Sequence, residues 1–136
     1  MANALFDTGR SSFLDADIDW SVDNIKVVLV DHGVDTPVPG TDQFLSDIAG
    51  GARIATSANL GGKTSTAGVA DANDTLFTAP PAGTSCESLV IYQDTGVAAT
   101  SRLIAFIDTA TGLPVTTNGA DINVTWDNGA NRIFKL

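Results

Sequence analysis

Apolar positions along this chain come in short runs broken by Asp, Asn, Gly and Pro, and both of the periods that specify secondary structure can be read from them. Ala2, Leu5, Phe6, Gly9 and Phe13 follow the i, i+3, i+4, i+7, i+11 spacing of one helical face. That spacing predicts a short amphipathic helix over residues 2–14, with Asn3 placed to cap its first turn. Gly9 and the Ser11-Ser12 pair are poor helix formers, and the Asp-rich segment Asp15-Ala16-Asp17-Ile18-Asp19 ends the helix before Trp20.

Beyond residue 24 the pattern shortens to that of strands. Ile25-Lys26-Val27-Val28-Leu29-Val30 is dense in β-branched residues and stops at Asp31-His32-Gly33. A loop with Pro37, Pro39 and Gly40 follows, then one helical turn over Asp42–Asp47. Weaker strands are expected at Ala52–Ala58, Lys63–Val69 and Thr75–Thr78, linked as a meander through Gly61-Gly62 and Asp71-Ala72-Asn73-Asp74. Pro80, Pro81 and Gly83 make a break. Clearer strands come at Glu87–Tyr92 and Arg102–Asp108, joined by the Asp94-Thr95-Gly96 turn. Near the end, Ile122, Val124 and Trp126 alternate with Asn123 and Thr125, and Asp127-Asn128-Gly129 tolerates positive φ at a reversal. That pattern predicts a terminal hairpin with Ile133–Leu136 as its return arm.

The sum is about eight strands and one short helix, an all-β fold laid out as a compact antiparallel sandwich or barrel. The 136 residues fit one domain, with residues 2–14 as an N-terminal helix or arm and residues 25–136 as the β-rich body. Ile25–Val30, Leu89–Tyr92 and Leu103–Ile107 carry apolar side chains on both faces, where a half-solvated sheet would alternate. Something must cover the second face. The N-terminal helix can supply Leu5, Phe6 and Phe13, and a neighbouring subunit could supply the remainder.

Charge narrows the classes of function. Sixteen acids against seven bases give a net charge of −9, and Glu87 is the only acid that is not Asp. Asp caps turns and disfavours helix interiors, so this usage places carboxylates in the loops of a β fold. The few Lys and Arg, among them Arg53, Lys63, Arg102 and Arg132, are scattered singly, whereas a nucleic-acid surface needs them clustered. No nucleic-acid partner is expected. No membrane association is expected either, because no apolar run approaches the ~18 residues of a span and no basic-then-apolar leader opens the chain. The lone Cys86 allows no internal disulfide and reads as a small buried residue.

The remaining polar residues offer little reaction chemistry. His32, the only histidine, sits in a turn and reads as an exposed turn residue; no Ser lies in a Gly-x-Ser-x-Gly elbow to partner it. Asp71 with Asp74, or Asp15 with Asp17 and Asp19, could collect a hard cation, but neither group has the Gly and distal Glu of a helix-loop-helix calcium loop. Asx turns account for both. Gly61-Gly62-Lys63-Thr64 has the end of a phosphate loop without its upstream glycine and reads as a turn. The expectation is a protein with no catalytic residues, no metal and no cofactor, hence not an enzyme.

Several segments together resemble a family of small virion proteins of tailed bacteriophages and prophages. They are Asp19-Trp20 with Ile25–Asp31, Gly51–Thr56, Gly62-Lys63-Thr64, Leu89–Tyr92, Leu103–Asp108, Thr111–Val115, Asn118–Ile122 and Trp126–Asn131, spread over nearly the whole chain. The resemblance implies a structural role and carries no catalytic residues. Scaffolds are usually helical, portals are much longer, and a protein touching packaged genome should be basic. An acidic β domain therefore fits the capsid exterior, as a decoration or cement protein made in the host bacterial cytoplasm. Its partners would be the major capsid protein and neighbouring copies of itself, as a homo-oligomer on the shell. Leu5, Phe6, Phe13 and Trp20 are the candidate contact residues, unless they serve the domain's own core. A tail or tail-tip component is the first alternative. A carbohydrate-binding module stacking sugars on Trp20 or Trp126 is the second.

Overall fold

The computed structural model describes residues 3–130 and 132–136; Ala2 of the predicted helix and Asn131 of the predicted terminal hairpin lie outside them. In chain order the elements are β1 (Ala4–Leu5), α1 (Asp7–Leu14), β2 (Ile25–Val30), β3 (Arg53–Thr56), β4 (Thr64–Thr66), β5 (Val69–Asp71), β6 (Thr75–Phe77), β7 (Ser85–Cys86), β8 (Ser88–Gln93), β9 (Leu103–Ile107), β10 (Val115–Thr116), β11 (Ile122–Val124) and β12 (Phe134–Lys135). The fold is all-β, in several antiparallel sheets, with one short helix near the N-terminus.

The centre is a five-stranded sheet in the order β1-β9-β8-β2-β3. β2 and β8 pair from Ile25 opposite Gln93 to Val30 opposite Ser88, so the apolar residues of both strands fall into register on both faces. One face carries Ile25, Val27, Leu29, Leu89, Ile91, Ile104 and Ala105. The other carries Val28, Val30, Val90, Tyr92, Leu103 and Phe106. Period 2 alone would send Leu103 and Phe106 to opposite faces. A register shift between β8 and β9 inserts Ile104 as an extra residue, so Leu103 pairs with Tyr92 while Phe106 pairs with Val90. Ile54 plays the same part in β3, where Ala55 pairs with Leu29 and Arg53 with Val30.

The chain itself covers both faces. Over the first lie the small sheets β7–β10, β6–β11 and β4–β5–β12, which contribute Ala70, Phe77, Cys86 and the nearby Trp20 and Trp126. Over the second lie Phe6, Leu45, Ile48 and Ala52, from segments that are not strands. Phe6, Ile48 and Ala52 are fully buried, as are Val28, Val30, Val90, Leu103 and Phe106 beneath them. At about 1.5–3 kcal/mol for each large side chain removed from water, this cover accounts for the apolar second face without a neighbouring subunit.

The helix is shorter than its spacing predicts. Residues 4–5 join the sheet instead, Ala4 opposite Phe106 and Leu5 opposite Ala105. Asn3 does not cap a helix: its Oδ1 accepts from the N–H groups of Asp108 and Thr109, at 2.9 Å each, and its Nδ2 donates to the Thr109 carbonyl at 3.0 Å. Pairing with the open edge of β9 satisfies these backbone groups better than a free helical turn would. From Asp7 the chain turns into α1, which crosses β9 so closely that a Cβ on Gly9 would lie 2.5 Å from the Leu103 carbonyl oxygen. The weak helix former is therefore the residue this crossing requires.

Three strand expectations are corrected. Lys63–Val69 is not one strand: the backbone reverses at Ala67 and Gly68, both at positive φ (54° and 78°), giving the hairpin β4–β5. The terminal hairpin does not form. β11 pairs with β6, Ile122 opposite Phe77, and β12 pairs with β5, Phe134 opposite Ala70. The 127–129 reversal thus sends the last residues to a different sheet, and the 52–78 region is not a meander, since β3, β5 and β6 belong to three sheets.

Candidate functional site

The four predicted contact residues separate into two pairs. Phe6 is fully buried beneath the second face of the central sheet, and its N–H donates to the Ile104 carbonyl at 2.9 Å. Trp20 is 5% exposed, and its indole N–H donates to the Asp71 carbonyl at 3.3 Å. These two serve the core. Leu5 and Phe13 are half-buried and meet along one seam, where α1 runs beside β12. Phe13 lies 6.0 Å from Phe134 between ring centroids, and Trp20 meets the same ring edge-on at 5.2 Å, so Phe134 links both predicted aromatics.

That seam is open at its outer side. A groove of about 400 Å³ lies between α1 and the chain's last residues, lined by Leu5, Arg10, Phe13, Leu14, Lys135 and Leu136. Leu14 is 88% exposed and Leu136 58% exposed. Among the described residues Arg10 and Lys135 enter no ion pair, whereas Lys26, Arg102 and Arg132 pair with Asp94, Asp17 and Asp71. No Asp or Glu side chain lines the groove. A wider depression of about 710 Å³ adjoins it, sharing Leu5, Arg10 and Lys135 and adding Arg132 and Asp127.

Helical periodicity did not single out Leu14, because it follows Phe13 directly and falls off the apolar stripe. That position was itself a signal, since an apolar residue off the buried face of a short helix has to point elsewhere. Arg10 and Lys135 carried no local signal. They come together only through the pairing of β12 with β5, where the expected terminal hairpin would have placed Lys135 beside β11.

Elsewhere, side chains capable of chemistry are used internally. His32 is half-buried, not an exposed turn residue: its ring stacks on Phe106 with centroids 5.9 Å apart and planes at 15°. Its Nε2 lies 2.8 Å from Ser88 Oγ, a hydroxyl–imidazole pair that sequence motifs did not reveal. Ser88 is fully buried, so that hydroxyl cannot reach a substrate. Burial pushes the Cys86 thiol up to about 11, assisted by the charges of Asp31 and Glu87, so it is not a thiolate near neutral pH. Burial likewise pushes the Tyr92 hydroxyl up to about 12.

The acidic groups are caps and staples. Asp19 Oδ1 accepts from the N–H groups of Ser21 (3.0 Å) and Val22 (3.2 Å). Asp23 Oδ2 accepts from Asp19 N–H at 2.8 Å and from Gln93 Nε2 at 2.7 Å. Lys63 donates its ammonium to the Asp23 carbonyl, which gives the lysine of the Gly-Lys-Thr sequence a structural use. The Asp71–Asp74 loop is held from both sides: Trp126 donates its indole N–H to the Asn73 carbonyl at 3.1 Å and its backbone N–H to Asp74 Oδ1 at 3.0 Å, while Arg132 pairs with Asp71 at 3.1 Å. Among the described residues no group of three or more His, Cys, Asp or Glu side chains is placed to hold a metal ion. No helix among them is long and apolar enough to cross a membrane.

No protein-family model matches the chain, and no curated protein matches it either.

Proposed function

We propose that this chain is a structural protein of a tailed-bacteriophage virion, a decoration or cement protein that binds the outer surface of the head and bridges neighbouring major capsid subunits. The observation that carries the reading is the open apolar groove at the α1–β12 seam, on an acidic β body whose central sheet is otherwise sealed on both faces. A protein built this way has a rigid body to fill space and an exposed apolar strip to adhere with. The segments that resemble small virion proteins supply the setting, and a charge of −9 suits a surface kept away from packaged genome.

Cementing works through several modest contacts. A copy held at one contact meets the next at a raised effective concentration, so total avidity exceeds each contact by orders of magnitude even where a single patch is below the ~1,200 Å² of a standard interface. Such a role requires rigidity, and the doubly covered sheet provides it.

The carbohydrate-binding alternative loses its platforms, because Trp20 and Trp126 are 5% and 7% exposed and both indoles are bonded to backbone carbonyls. The tail alternative is separated by location. Immunogold labelling or cryo-electron microscopy of particles from the parent phage should place the chain on the head exterior, and purified chain should co-sediment with expanded heads that lack it. Density confined to the tail, or absence from mature particles, would overturn the reading.

A further inference from the structure

We propose that the groove between α1 and β12 docks an acidic, apolar segment of a partner protein, with carboxylates meeting Arg10 and Lys135 and an apolar side chain entering between Leu5, Phe13 and Leu14. This rests on the head-binding reading for its source, a surface segment of the shell subunit, and on the groove's own chemistry for its character.

Charge complementarity selects the occupant. Of the seven bases, Lys26, Arg102 and Arg132 pair with carboxylates, and Lys63 donates to the Asp23 carbonyl. Arg10 and Lys135, both exposed and both outside any ion pair among the described residues, flank the same apolar groove from different elements. Arg132, already paired with Asp71, lines the depression next to it together with Asp127. An occupant with Asp or Glu beside Leu or Phe would satisfy the cations and cover Leu14 and Leu136 together, whereas a basic or purely apolar one would leave part of the site unmatched. Nucleic acid is disfavoured, since two cations are too few to track a phosphate backbone.

The volume of about 400 Å³ suits one or two anchoring side chains, the size of contact in which a few residues carry most of the binding energy. Leu14 supplies a clean handle, because at 88% exposed it contributes little to the core.

The test compares the full chain with its Leu14→Ser, Arg10→Glu and Lys135→Glu variants, each first checked for an unchanged melting temperature. Binding is read by co-sedimentation with expanded heads lacking the chain, and by NMR shift mapping with a synthetic peptide alternating Asp with Leu and Phe and with its Asp-to-Lys counterpart. The inference expects wild type to bind heads, each variant to lose at least tenfold, and the acidic peptide alone to shift Arg10, Phe13, Leu14 and Lys135. Head binding that is unchanged in all three variants overturns the groove and leaves the head-binding reading standing. Shifts at the groove from the acidic peptide, with no head binding, support the groove and overturn the head-binding reading. Equal binding of the basic peptide, no shifts at millimolar peptide, or attachment to phosphatidylglycerol vesicles in place of the peptide overturns the groove. Should either charge reversal disturb folding, Leu14→Ser decides alone.

Discussion

Strands β2, β8 and β9 run for six, six and five residues and bury nearly every side chain, whereas β4, β6, β10 and β11 run for two or three and, apart from Thr75 and Phe77 of β6, have no buried residue. The first group is held by apolar burial on two faces. The second depends on side chains that reach backbone groups: Asp121 Oδ1 accepts from Ala79 N–H at 2.7 Å, Asp74 Oδ1 from Trp126 N–H, and the Thr117 hydroxyl from Thr84 N–H at 3.0 Å. One chain thus contains a core specified by residue type and an outer layer specified by individual polar contacts, and the two should fail differently.

The largest effect belongs to the centre. Phe106 is fully buried, packs under Phe6 and stacks on His32, so Phe106→Ala should cost about 3–5 kcal/mol in urea unfolding. Leu76 of β6 is 43% exposed, and Leu76→Ala should stay within about 1 kcal/mol. Equal costs would erase the distinction between the two regions.

Gly9→Ala comes next, and two effects compete in it. Helix propensity favours Ala by about 1 kcal/mol. The new Cβ, however, would lie 2.5 Å from a backbone oxygen of β9, which cannot swing aside as a side chain could. Overpacking of this kind costs about 1–3 kcal/mol, so the steric term should win and the urea midpoint should fall. A midpoint that rises would mean that α1 does not cross β9 this closely.

The same contrast governs what could be read from the chain alone. β2, β8 and β9 were legible within a residue or two because a run such as Ile25–Val30 states its strand, and its two-sided burial, locally. The destination of the last residues was not legible. Asp127-Asn128-Gly129 announces a reversal, but whether Phe134 goes on to pair with β11 or with β5 depends on Trp126 being anchored to Asn73 and Asp74, more than fifty positions away. Ala67 at φ 54° carries no turn signature, so the β4–β5 hairpin read as one strand. The groove inherits this blindness. Leu5 and Phe13 were visible through helical spacing, while Lys135 reaches the groove only by a pairing that local chemistry does not encode.

In the outer layer the sharpest probe is Thr117→Val, which keeps shape and removes the hydroxyl. Thr117 is 2% exposed, and its hydroxyl accepts from Thr84 N–H and donates to the Pro81 carbonyl. Leaving buried partners unmatched costs about 1–3 kcal/mol. Hydrogen exchange should show faster opening at β7 and β10 with β2 and β8 still protected, which global unfolding alone would not produce.

The smallest effect lies at the rim of the central sheet, where Lys26 Nζ sits 2.8 Å from Asp94 Oδ2 with side chains 28% and 19% exposed. The Lys26 hydrogen bond holds the Asp94 carboxyl below its ordinary value of 3.8; burial opposes this, and the Gly96 N–H adds to it. A depressed folded-state pKa stabilises the fold above 3.8, and that contribution is lost as pH falls through the depressed value. Asp42 runs the other way: burial raises its pKa, so acid relieves a cost there. Asp94→Asn separates the two. Its amide oxygen still accepts from Gly96 N–H, now 3.0 Å from Oδ1, so the variant removes chiefly the Lys26 charge pair. At neutral pH and low salt it should cost about 0.2–1 kcal/mol, the range for partly exposed pairs, and less in 1 M salt. Below pH 3.8 the wild-type and variant stability curves should converge, because protonation does to Asp94 what the substitution does. A constant gap down to pH 2 would assign the cost to lost packing instead, and would make this rim an extension of the apolar centre.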